Sequence, residues 1–220
     1  MLRVALTGGI ACGKSVISSL FRAKGCAVDN ADETARALMS PGRSAWKKVV
    51  ARFGRGILAA DRTIDRAKLG DIVFADAAAR RSLDALLHPL VLAEQERLAR
   101  RLERSGRVPI FVSEAALTVE AGYARFFDKV VVVHCRPSVQ LRRLIVRGGF
   151  GPAEARRRIA AQMPLKDKLR HADYAIDTSG SLAETVEQAE RVYASLLQDA
   201  ELKRLAAKKP SSRRARTGRS

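Results

Sequence analysis

Short runs of uniformly apolar residues alternate along the chain with longer segments in which apolar positions recur every three or four residues. Five runs are predicted to be strands: Leu2 to Leu6, Ala27-Val28, Val108 to Val112, Val130 to Val133 and Tyr174 to Ile176. Strands that are apolar throughout are typical of parallel sheets covered by helices on both faces. The connecting segments are long enough for helical crossovers, so the pattern predicts a doubly wound α/β fold with a parallel five-stranded sheet. Ligands of such a sheet bind at the carboxyl ends of its strands.

Two segments are longer than this alternation requires. The first, residues 44–104, is predicted to be helical. Its apolar residues at helical spacing are predicted to be core residues: Trp46, Val49, Val50 and Phe53. Residues 147–168 begin with several glycines and a proline inside an arginine-rich segment, which predicts a hinged, mobile lid. We therefore predict one domain over residues 1–200, with a helical insertion and a lid.

The charge of the chain is strongly positive. Its 41 Lys and Arg residues exceed its 23 Asp and Glu residues, and residues 203–220 carry eight of the positive charges with no acidic residue. The loss of apolar periodicity after Ala200 predicts a basic, disordered tail over residues 201–220. Such a tail is either a solvated extension or a non-specific contact for RNA and anionic surfaces. The field of the whole chain suits phosphate-bearing ligands and nucleic acid equally, so charge alone does not decide between them.

Cysteine content and hydropathy bear on the compartment. Cys12, Cys26 and Cys135 are odd in number and form no C-x-x-C pair, which argues against a disulfide framework or a zinc site. No apolar stretch approaches the roughly 20 residues that cross a bilayer, and no signal-peptide pattern precedes the first strand. We expect a cytoplasmic protein without a membrane partner, whose oligomeric state the sequence leaves open.

A complete phosphate-binding loop follows the first predicted strand. It reads Gly8-Gly9-Ile10-Ala11-Cys12-Gly13-Lys14-Ser15, and Val16 opens a helical pattern after it. The glycines allow backbone N–H groups to converge on phosphates at the positive end of the helix. Lys14 would reach the β- and γ-phosphates, and the Ser15 hydroxyl would be a ligand of Mg²⁺. The sequence therefore predicts binding of a nucleoside triphosphate.

Phosphoryl transfer also needs a group that accepts the proton of the acceptor hydroxyl. Asp32, just after the second predicted strand, is expected at the same sheet edge as the phosphate loop and is our candidate base. Its alternative role is the N-cap of the helix that follows, and position alone does not separate the two. Arg143 and Arg147 are four residues apart on one helical face beside the lid glycines, where they would stabilise phosphoryl charge. An exposed basic face is the alternative for the neighbouring arginines.

Cys12 lies inside the phosphate loop near a helix N-terminus. The positive end of the helix favours a thiolate there, so an unusually reactive thiol is one hypothesis. The alternative is a small loop residue without a redox role.

Several motifs run in order along the chain and carry a family resemblance. The first are Thr7-Gly8-Gly9-Ile10, Gly13-Lys14-Ser15, Ala31-Asp32 and Ala35-Arg36. They are followed by Ile64-Asp65-Arg66, Leu69, Val73-Phe74, His88-Pro89, Gln140-Leu141, Arg143, Arg147, Ile159, Gln162 and Ala172-Asp173. Together they resemble the dephospho-coenzyme A kinase family of phosphate-loop kinases.

The resemblance implies transfer of the ATP γ-phosphate to the ribose 3′-hydroxyl of dephospho-coenzyme A, with Mg²⁺. It implies Asp32 as the catalytic carboxylate, with Lys14 and Arg147 as the other catalytic groups. The resemblance implies that Ala11, Cys12, Gly13, Lys14, Ser15 and Val16 hold ATP. The loop motif and the helical spacing add Gly8, Gly9, Ile10, Arg143 and Arg147 as predicted ATP-binding residues. The implied acceptor-binding residues are Asp32, Arg36, Asp65, Arg66 and His88. His88-Pro89 has a structural alternative, a helix-interrupting turn with a hydrogen-bonded histidine.

Three positions depart from the family pattern, and two other functions compete with it. Asn30, Ala116 and Thr178 stand where the family often has an acidic residue, a proline and an asparagine, which affects acceptor and base recognition. Glu114 is either a carboxylate that holds Mg²⁺ through water or a loop residue facing solvent. A nucleoside monophosphate or shikimate-type kinase remains an alternative. So does a nucleotide-dependent RNA-binding module, although the chain has few aromatic residues for stacking on bases, so no specific nucleic acid partner is expected.

Overall fold

The structure is a computed structural model that describes residues 1–208, except the side chain of Phe74. It contains a five-stranded parallel sheet in the order β2-β3-β1-β4-β5. The strands are β1 (Leu2–Gly8), β2 (Ala27–Asn30), β3 (Ile110–Glu114), β4 (Lys129–His134) and β5 (Tyr174–Asp177). The helices are α1 (Lys14–Ala23), α2 (Ala31–Leu38), α3 (Ser44–Phe53), α4 (Arg66–Ala75), α5 (Ala77–Ser105), α6 (Pro137–Gly148), α7 (Pro152–Ala160), α8 (Leu165–Leu169) and α9 (Leu182–Lys208). The predicted doubly wound α/β fold is confirmed, and each predicted strand is present.

The central strand of the sheet is β1, which is paired on both sides. Leu6 lies opposite Glu114 of β3, and Gly8 lies opposite Val133 of β4. Because all three strands point the same way, the loops that leave their carboxyl ends are neighbours. This arrangement brings the segment after β4 close to the phosphate loop after β1.

Two compact units make up the chain. The first contains residues 1–28 and those from 106 onward, and the second contains Asp29–Ser105. In the first unit, apolar side chains cover both faces of the sheet. One face packs with residues of α1 and α9, including Ile17, Phe21 and Leu196, and the other packs with Met163 and Leu169.

The second unit has a small core between its helices. The buried residues of this core are Ala45, Val49, Ile57, Leu69 and Leu87. Residues 44–104 are mainly helical, as the sequence predicts. The compact unit to which they belong begins earlier, at Asp29, because Leu38 and Met39 at the end of α2 pack on the same core.

The core prediction for α3 holds for two of its four residues. Val49 is fully buried and Phe53 packs against the core. Trp46 and Val50 are half-buried and lie outside this cluster. Trp46 instead donates its indole N–H to the carbonyl of Arg62 at 2.9 Å.

The boundary predicted at residue 200 is wrong in its position. Helix α9 continues to Lys208, so residues 201–208 are helical and not a disordered tail. Lys203 forms an ion pair with Asp128 at 2.6 Å, and Arg204 pairs with Glu201 one turn earlier. The good helix formers Leu, Ala and Lys in this stretch explain why the helix persists without a regular apolar stripe. The rest of the predicted tail, residues 209–220, lies outside the described residues.

Within residues 1–208, none of the helices combines the length and the apolar character that crossing a membrane requires.

Candidate functional site

The phosphate loop connects β1 to α1, and its first glycine is required by close packing. A Cβ added at Gly8 would lie 2.0 Å from the carbonyl oxygen of Val133 on β4. At the other end of the loop, Gly13 is left-handed, with φ of 85°, and precedes the first residue of α1. As the N-cap of α1, Gly13 has no side chain that could accept from the first amides of the helix. A helix start without a capping side chain is the arrangement with which phosphate loops bind anions.

The Lys14 side chain folds back over this loop. Its Nζ donates hydrogen bonds to the carbonyl oxygens of Gly8 at 3.0 Å and Gly9 at 3.1 Å. The ammonium group is thereby held at the loop, beside the amides that would receive phosphate. Ser15, on the first turn of α1, is exposed.

Two glutamines hold Ile10 near the start of the loop. Gln140 on α6 donates its side-chain amide to the Ile10 carbonyl at 2.9 Å, and the Ile10 N–H donates to Gln162 Oε1 at 2.7 Å. Both glutamines belong to the motif series, but no local pattern assigns them a role. The structure places them as supports of the phosphate loop.

Thr178, immediately after β5, connects the loop with α6. Its Oγ1 lies 2.9 Å from the carbonyl oxygen of Cys12 and 3.2 Å from that of His134, so its proton has two acceptors within reach. The same oxygen accepts a hydrogen bond of 2.8 Å from Arg143, which also donates to the Thr178 carbonyl at 2.7 Å. Thr178 is buried. The departure from the usual asparagine thus has a structural role at the loop, which the sequence did not reveal.

The two arginines predicted to act together differ in their surroundings. Arg143 is half-buried and bound to Thr178, whereas Arg147 is exposed near the end of α6 and pairs with no acidic side chain of residues 1–208. After α6, Gly149 adopts the left-handed conformation, and the Arg158 guanidinium of α7 lies 4.1 Å from the Phe150 ring centre.

The predicted lid ends at a buried ion pair. Lys168 of α8 is 1% exposed, and its Nζ lies 2.7 Å from Glu120 Oε1 and donates to the Ala116 carbonyl at 2.9 Å. Thr7 donates to the same carbonyl at 3.0 Å. The end of the segment at 168 is therefore fixed to the loop after β3. Ala116 contributes to this anchor through its backbone, which an alanine supplies as well as a proline.

Side-chain oxygens of the kind that Mg²⁺ prefers lie on the first turns of α1 and at the end of β3. Glu114, at the carboxyl end of β3, accepts a hydrogen bond of 2.6 Å from Ser18, which is one turn after Ser15 on α1. No cluster of three or more His, Cys, Asp or Glu residues forms a metal cage within residues 1–208. Mg²⁺ in nucleotide enzymes needs no such cage, because phosphates and water supply most of its ligands. A hydroxyl and a carboxylate in this position fit that ion.

The second unit contains Asp32, and the structure removes one of its alternatives. The N-cap of α2 is Asn30, whose Oδ1 accepts from the N–H groups of Asp32 at 2.9 Å and Glu33 at 3.2 Å. The carboxylate of Asp32 is exposed and accepts no hydrogen bond from a described residue. Asp29 accepts from Thr34 at 2.8 Å and from Gln95 at 2.7 Å. Asp32 is thus not the cap, and Asp29 is occupied by structural contacts.

The other residues predicted to bind the acceptor also lie in the second unit, and they differ in exposure and in hydrogen bonding. Asp65 is the N-cap of α4 and accepts from the N–H groups of Ala67 and Lys68 at 3.0 and 3.2 Å. Arg66 and Arg36 are exposed. His88 is half-buried on α5, with Nε2 3.8 Å from Asp84 Oδ1. Pro89 lies inside α5, so the proposed helix-interrupting turn at His88-Pro89 is wrong.

Comparison with protein families and curated proteins agrees with the motif series. The family model described as dephospho-CoA kinase matches residues 2–184. A dephospho-CoA kinase from Geobacillus kaustophilus is 46% identical over 191 residues, which cover 85% of this chain and 92% of that protein. Another from Geobacter sulfurreducens is 42% identical over 191 residues and covers 87% and 96% of the two chains.

Solved structures give the same result for the fold. The crystal structure of the protein TT1252 from Thermus thermophilus superposes with a TM-score of 0.73 at 26% sequence identity. The match covers 88% of this chain and 96% of that protein's chain. A dephospho-CoA kinase from Campylobacter jejuni has a TM-score of 0.66 at 26% identity, with coverage of 90% and 98%. With the family match over most of its length, the chain belongs to the dephospho-CoA kinase family, the ATP-dependent kinases that complete coenzyme A biosynthesis.

Proposed function

We propose that this protein transfers the γ-phosphate of ATP to the ribose 3′-hydroxyl of dephospho-coenzyme A, using the residues named above. The observation that supports the donor side is the phosphate loop itself. The N-cap of α1 is Gly13, which has no side chain to cap the helix, and Lys14 Nζ donates to the loop carbonyls of Gly8 and Gly9. Such an arrangement binds a polyphosphate through backbone N–H groups and one mobile cation.

The donor is held by the amides of residues 11–16, with Lys14 moving from the loop carbonyls to the β- and γ-phosphates. Gly8, Gly9 and Ile10 shape the loop rather than carry charge to the nucleotide. Arg143 keeps its side of the loop in place through Thr178, and Arg147, which is exposed, supplies the mobile positive charge for the phosphoryl oxygens.

Ser15 and Glu114 are the residues that would hold Mg²⁺ with the nucleotide. Glu114 is oriented by Ser18, which leaves its second oxygen for a water or a metal. When bound, the ion neutralises charge on the β- and γ-phosphates.

Asp32 is the proposed base that accepts the proton of the acceptor hydroxyl. Its support is chemical: it is exposed, accepts no hydrogen bond from a described side chain, and is relieved of the capping role by Asn30. Arg36, Arg66 and His88 are proposed to contact the acceptor. Asp65 is proposed there too, although its Oδ1 already caps α4.

A reducing cytoplasm is the proposed compartment. All three cysteines of the chain are free thiols, as expected for a protein that does not depend on disulfides.

An acceptor panel tests the function directly. Purified protein with Mg²⁺ and ATP is incubated with dephospho-coenzyme A, AMP or shikimate, and ADP release is measured. We expect turnover with dephospho-coenzyme A alone. Turnover with AMP or shikimate and none with dephospho-coenzyme A would overturn the acceptor assignment but leave the donor assignment intact.

The role of Asp32 is tested against its exposed neighbour Glu33, a second carboxylate on the same turn of α2. Asp32→Asn should lower kcat by at least about 100-fold, because a positioned base contributes that much. The affinity for ATP should stay close to that of the unmodified enzyme. Glu33→Gln should retain kcat. A near-normal kcat for Asp32→Asn would show that another group accepts the proton.

The role of Lys14 is tested with Lys14→Ala, measured by titration of ATP. We expect weaker ATP binding and a lower kcat, since the charge is lost from both the ground state and the transition state. Lys47→Ala, at an exposed position on α3, is the matched control and should change neither. Unchanged ATP binding in Lys14→Ala would contradict the donor site.

A further inference from the structure

Two cysteines far apart in the sequence meet beside the phosphate loop. Cys12 is a loop residue, and Cys135 is the first residue after β4, the strand that pairs with β1. Their sulfur atoms are 3.5 Å apart, and both side chains are buried, at 3% and 2% exposed. The loop motif singles out Cys12 alone, because nothing local in the sequence connects it with Cys135.

The surroundings divide the two sulfurs into a nucleophile and a proton donor. The Cys135 S–H donates to the Cys12 sulfur, and this hydrogen bond, together with the positive charges of Lys14 and Arg143, lowers the pKa of Cys12 to about 7. The same contact raises the pKa of Cys135. Cys26 has no such neighbour, and burial raises its pKa to about 12. One thiolate beside one protonated thiol is the arrangement from which disulfides form.

We infer that Cys12 and Cys135 form an oxidation site, at which hydrogen peroxide converts the two thiols to a disulfide that weakens nucleotide binding. The second half of this inference rests on the proposed function of the loop as the ATP site. A small oxidant is favoured because both sulfurs are buried.

The chemistry proceeds in two balanced steps. The Cys12 thiol first releases its proton, and the thiolate attacks one oxygen of hydrogen peroxide and breaks the O–O bond, which gives Cys12 sulfenic acid and a hydroxide that takes up the released proton as water. The Cys135 sulfur then attacks the Cys12 sulfur and loses its proton, and the sulfenic hydroxyl leaves as water. In total, two thiols and one peroxide give one disulfide and two waters, and the two electrons lost by the sulfurs reduce the peroxide oxygens.

A disulfide between Cys12 and Cys135 would displace the phosphate loop, because Cys12 contacts other residues that shape the loop. A disulfide brings the sulfurs from 3.5 Å to about 2.05 Å, so Cys12 must shift toward the segment after β4. The Cys12 carbonyl is bound to Thr178, and its sulfur packs against Gly9, where an added Cβ would lie 2.9 Å away. A binding loop tolerates displacements of only about 0.5 Å. The oxidised loop should therefore bind ATP more weakly, and by reciprocity bound ATP should slow the oxidation.

Mass spectrometry and ATP titration test the inference on the full-length protein. Treatment with hydrogen peroxide should join the Cys12 and Cys135 peptides within one chain, remove two of the three free thiols, and raise the Kd for ATP at least about tenfold. Dithiothreitol should restore the affinity. Absence of the 12–135 disulfide overturns the site, and a disulfide with an unchanged Kd overturns its effect on binding.

Two variants make the test specific. Cys135→Ser retains a hydrogen-bond donor and should keep basal activity, but its Cys12 should stop at the sulfenic acid, which dimedone traps when it is present as the oxidised protein is unfolded in denaturant. Cys26→Ala should still form the disulfide at the same rate as the unmodified protein. Loss of the 12–135 disulfide in Cys26→Ala, or no dimedone adduct in Cys135→Ser, would contradict the mechanism. If the reduced protein failed to phosphorylate dephospho-coenzyme A, the proposed function would fail while the peptide map still decided the oxidation site.

Discussion

Arg143 binds Thr178 with two hydrogen bonds, one of 2.8 Å to the side-chain oxygen and one of 2.7 Å to the carbonyl. The same side-chain oxygen lies 2.9 Å from the Cys12 carbonyl in the phosphate loop. A single buried hydroxyl thus connects an arginine on α6 with the phosphate loop. Arg143 therefore supports the loop through Thr178.

Thr178→Val should raise the KM for ATP several-fold and lower the free energy of unfolding by about 1–3 kcal/mol. Valine keeps the shape but leaves the Cys12 carbonyl and one Arg143 N–H without this partner. Thr185→Val is the control, because the Thr185 hydroxyl donates locally, to the carbonyl of Ser181 just before α9 at 3.0 Å. Steady-state kinetics and urea unfolding measure both variants. An equal KM effect in the two would remove the special role of Thr178.

Gly8→Ala should abolish ATP binding and destabilise the fold by more than about 3 kcal/mol, since a Cβ 2.0 Å from the Val133 carbonyl cannot fit unless β4 moves. Gly25→Ala is a control for backbone strain alone. Gly25 has a positive φ of 93° but no atom within 4 Å of the added Cβ. Gly25→Ala should lower the free energy of unfolding by about 1–2 kcal/mol and leave ATP binding unchanged. Circular dichroism and ATP titration distinguish the two, and a mild effect at Gly8 would contradict the close packing.

The features that the sequence predicted correctly have local signals. Each strand is a short apolar run, and the phosphate loop is a contiguous motif after the first of them, so periodicity and spacing were sufficient. Asp32 and Asn30 show where local signals fail. Both residue types are good N-caps, and only the backbone geometry shows that Asn30 accepts from the two α2 amides.

Other features depend on contacts between residues that are distant in sequence. Cys12 and Cys135 are brought together by the pairing of β1 with β4, and Gln162 reaches Ile10 from beyond α7. Such pairings leave no periodic pattern in one sequence. The end of α9 was missed for a different reason: helix propensity and the Lys203–Asp128 ion pair sustain it where apolar periodicity has already faded.

Tyr174→Phe should make stability less sensitive to alkaline pH. Tyr174 donates its hydroxyl to Asp199 at 2.6 Å, and this bond, with partial burial, raises the pKa of Tyr174 from its ordinary value near 10 to about 12. A pKa raised by folding means that the protonated hydroxyl contributes stability fully below pH 10, and that this contribution is lost as the pH rises toward 12. Urea unfolding should therefore show the unmodified protein more stable than Tyr174→Phe at pH 9, with a smaller difference at pH 11. A constant difference at both pH values would contradict the assigned pKa.

A buried ion pair between Lys168 and Glu120 lies at the end of the predicted lid. Lys168 and Glu120 have side chains that are 2% and 18% exposed, and they are 2.7 Å apart. Both Glu120 carboxylate oxygens are buried, and no further hydrogen bond to them is formed by residues 1–208. Removing the ammonium group alone would leave a carboxylate in a site that cannot solvate it. Lys168→Met should therefore lower the free energy of unfolding by roughly 3–5 kcal/mol.

The double variant Lys168→Met/Glu120→Leu separates the cost of an unpaired charge from the loss of an attractive contact. Replacing both charges by apolar groups of similar volume removes the desolvation cost along with the attraction, so most of the stability should return. Lys166→Met, at an exposed position on the same helix, should change stability little and serves as the control. If the double variant were as unstable as Lys168→Met, the hydrogen bond from Lys168 to Ala116, and not the charge pair, would fix this end of the segment to the sheet.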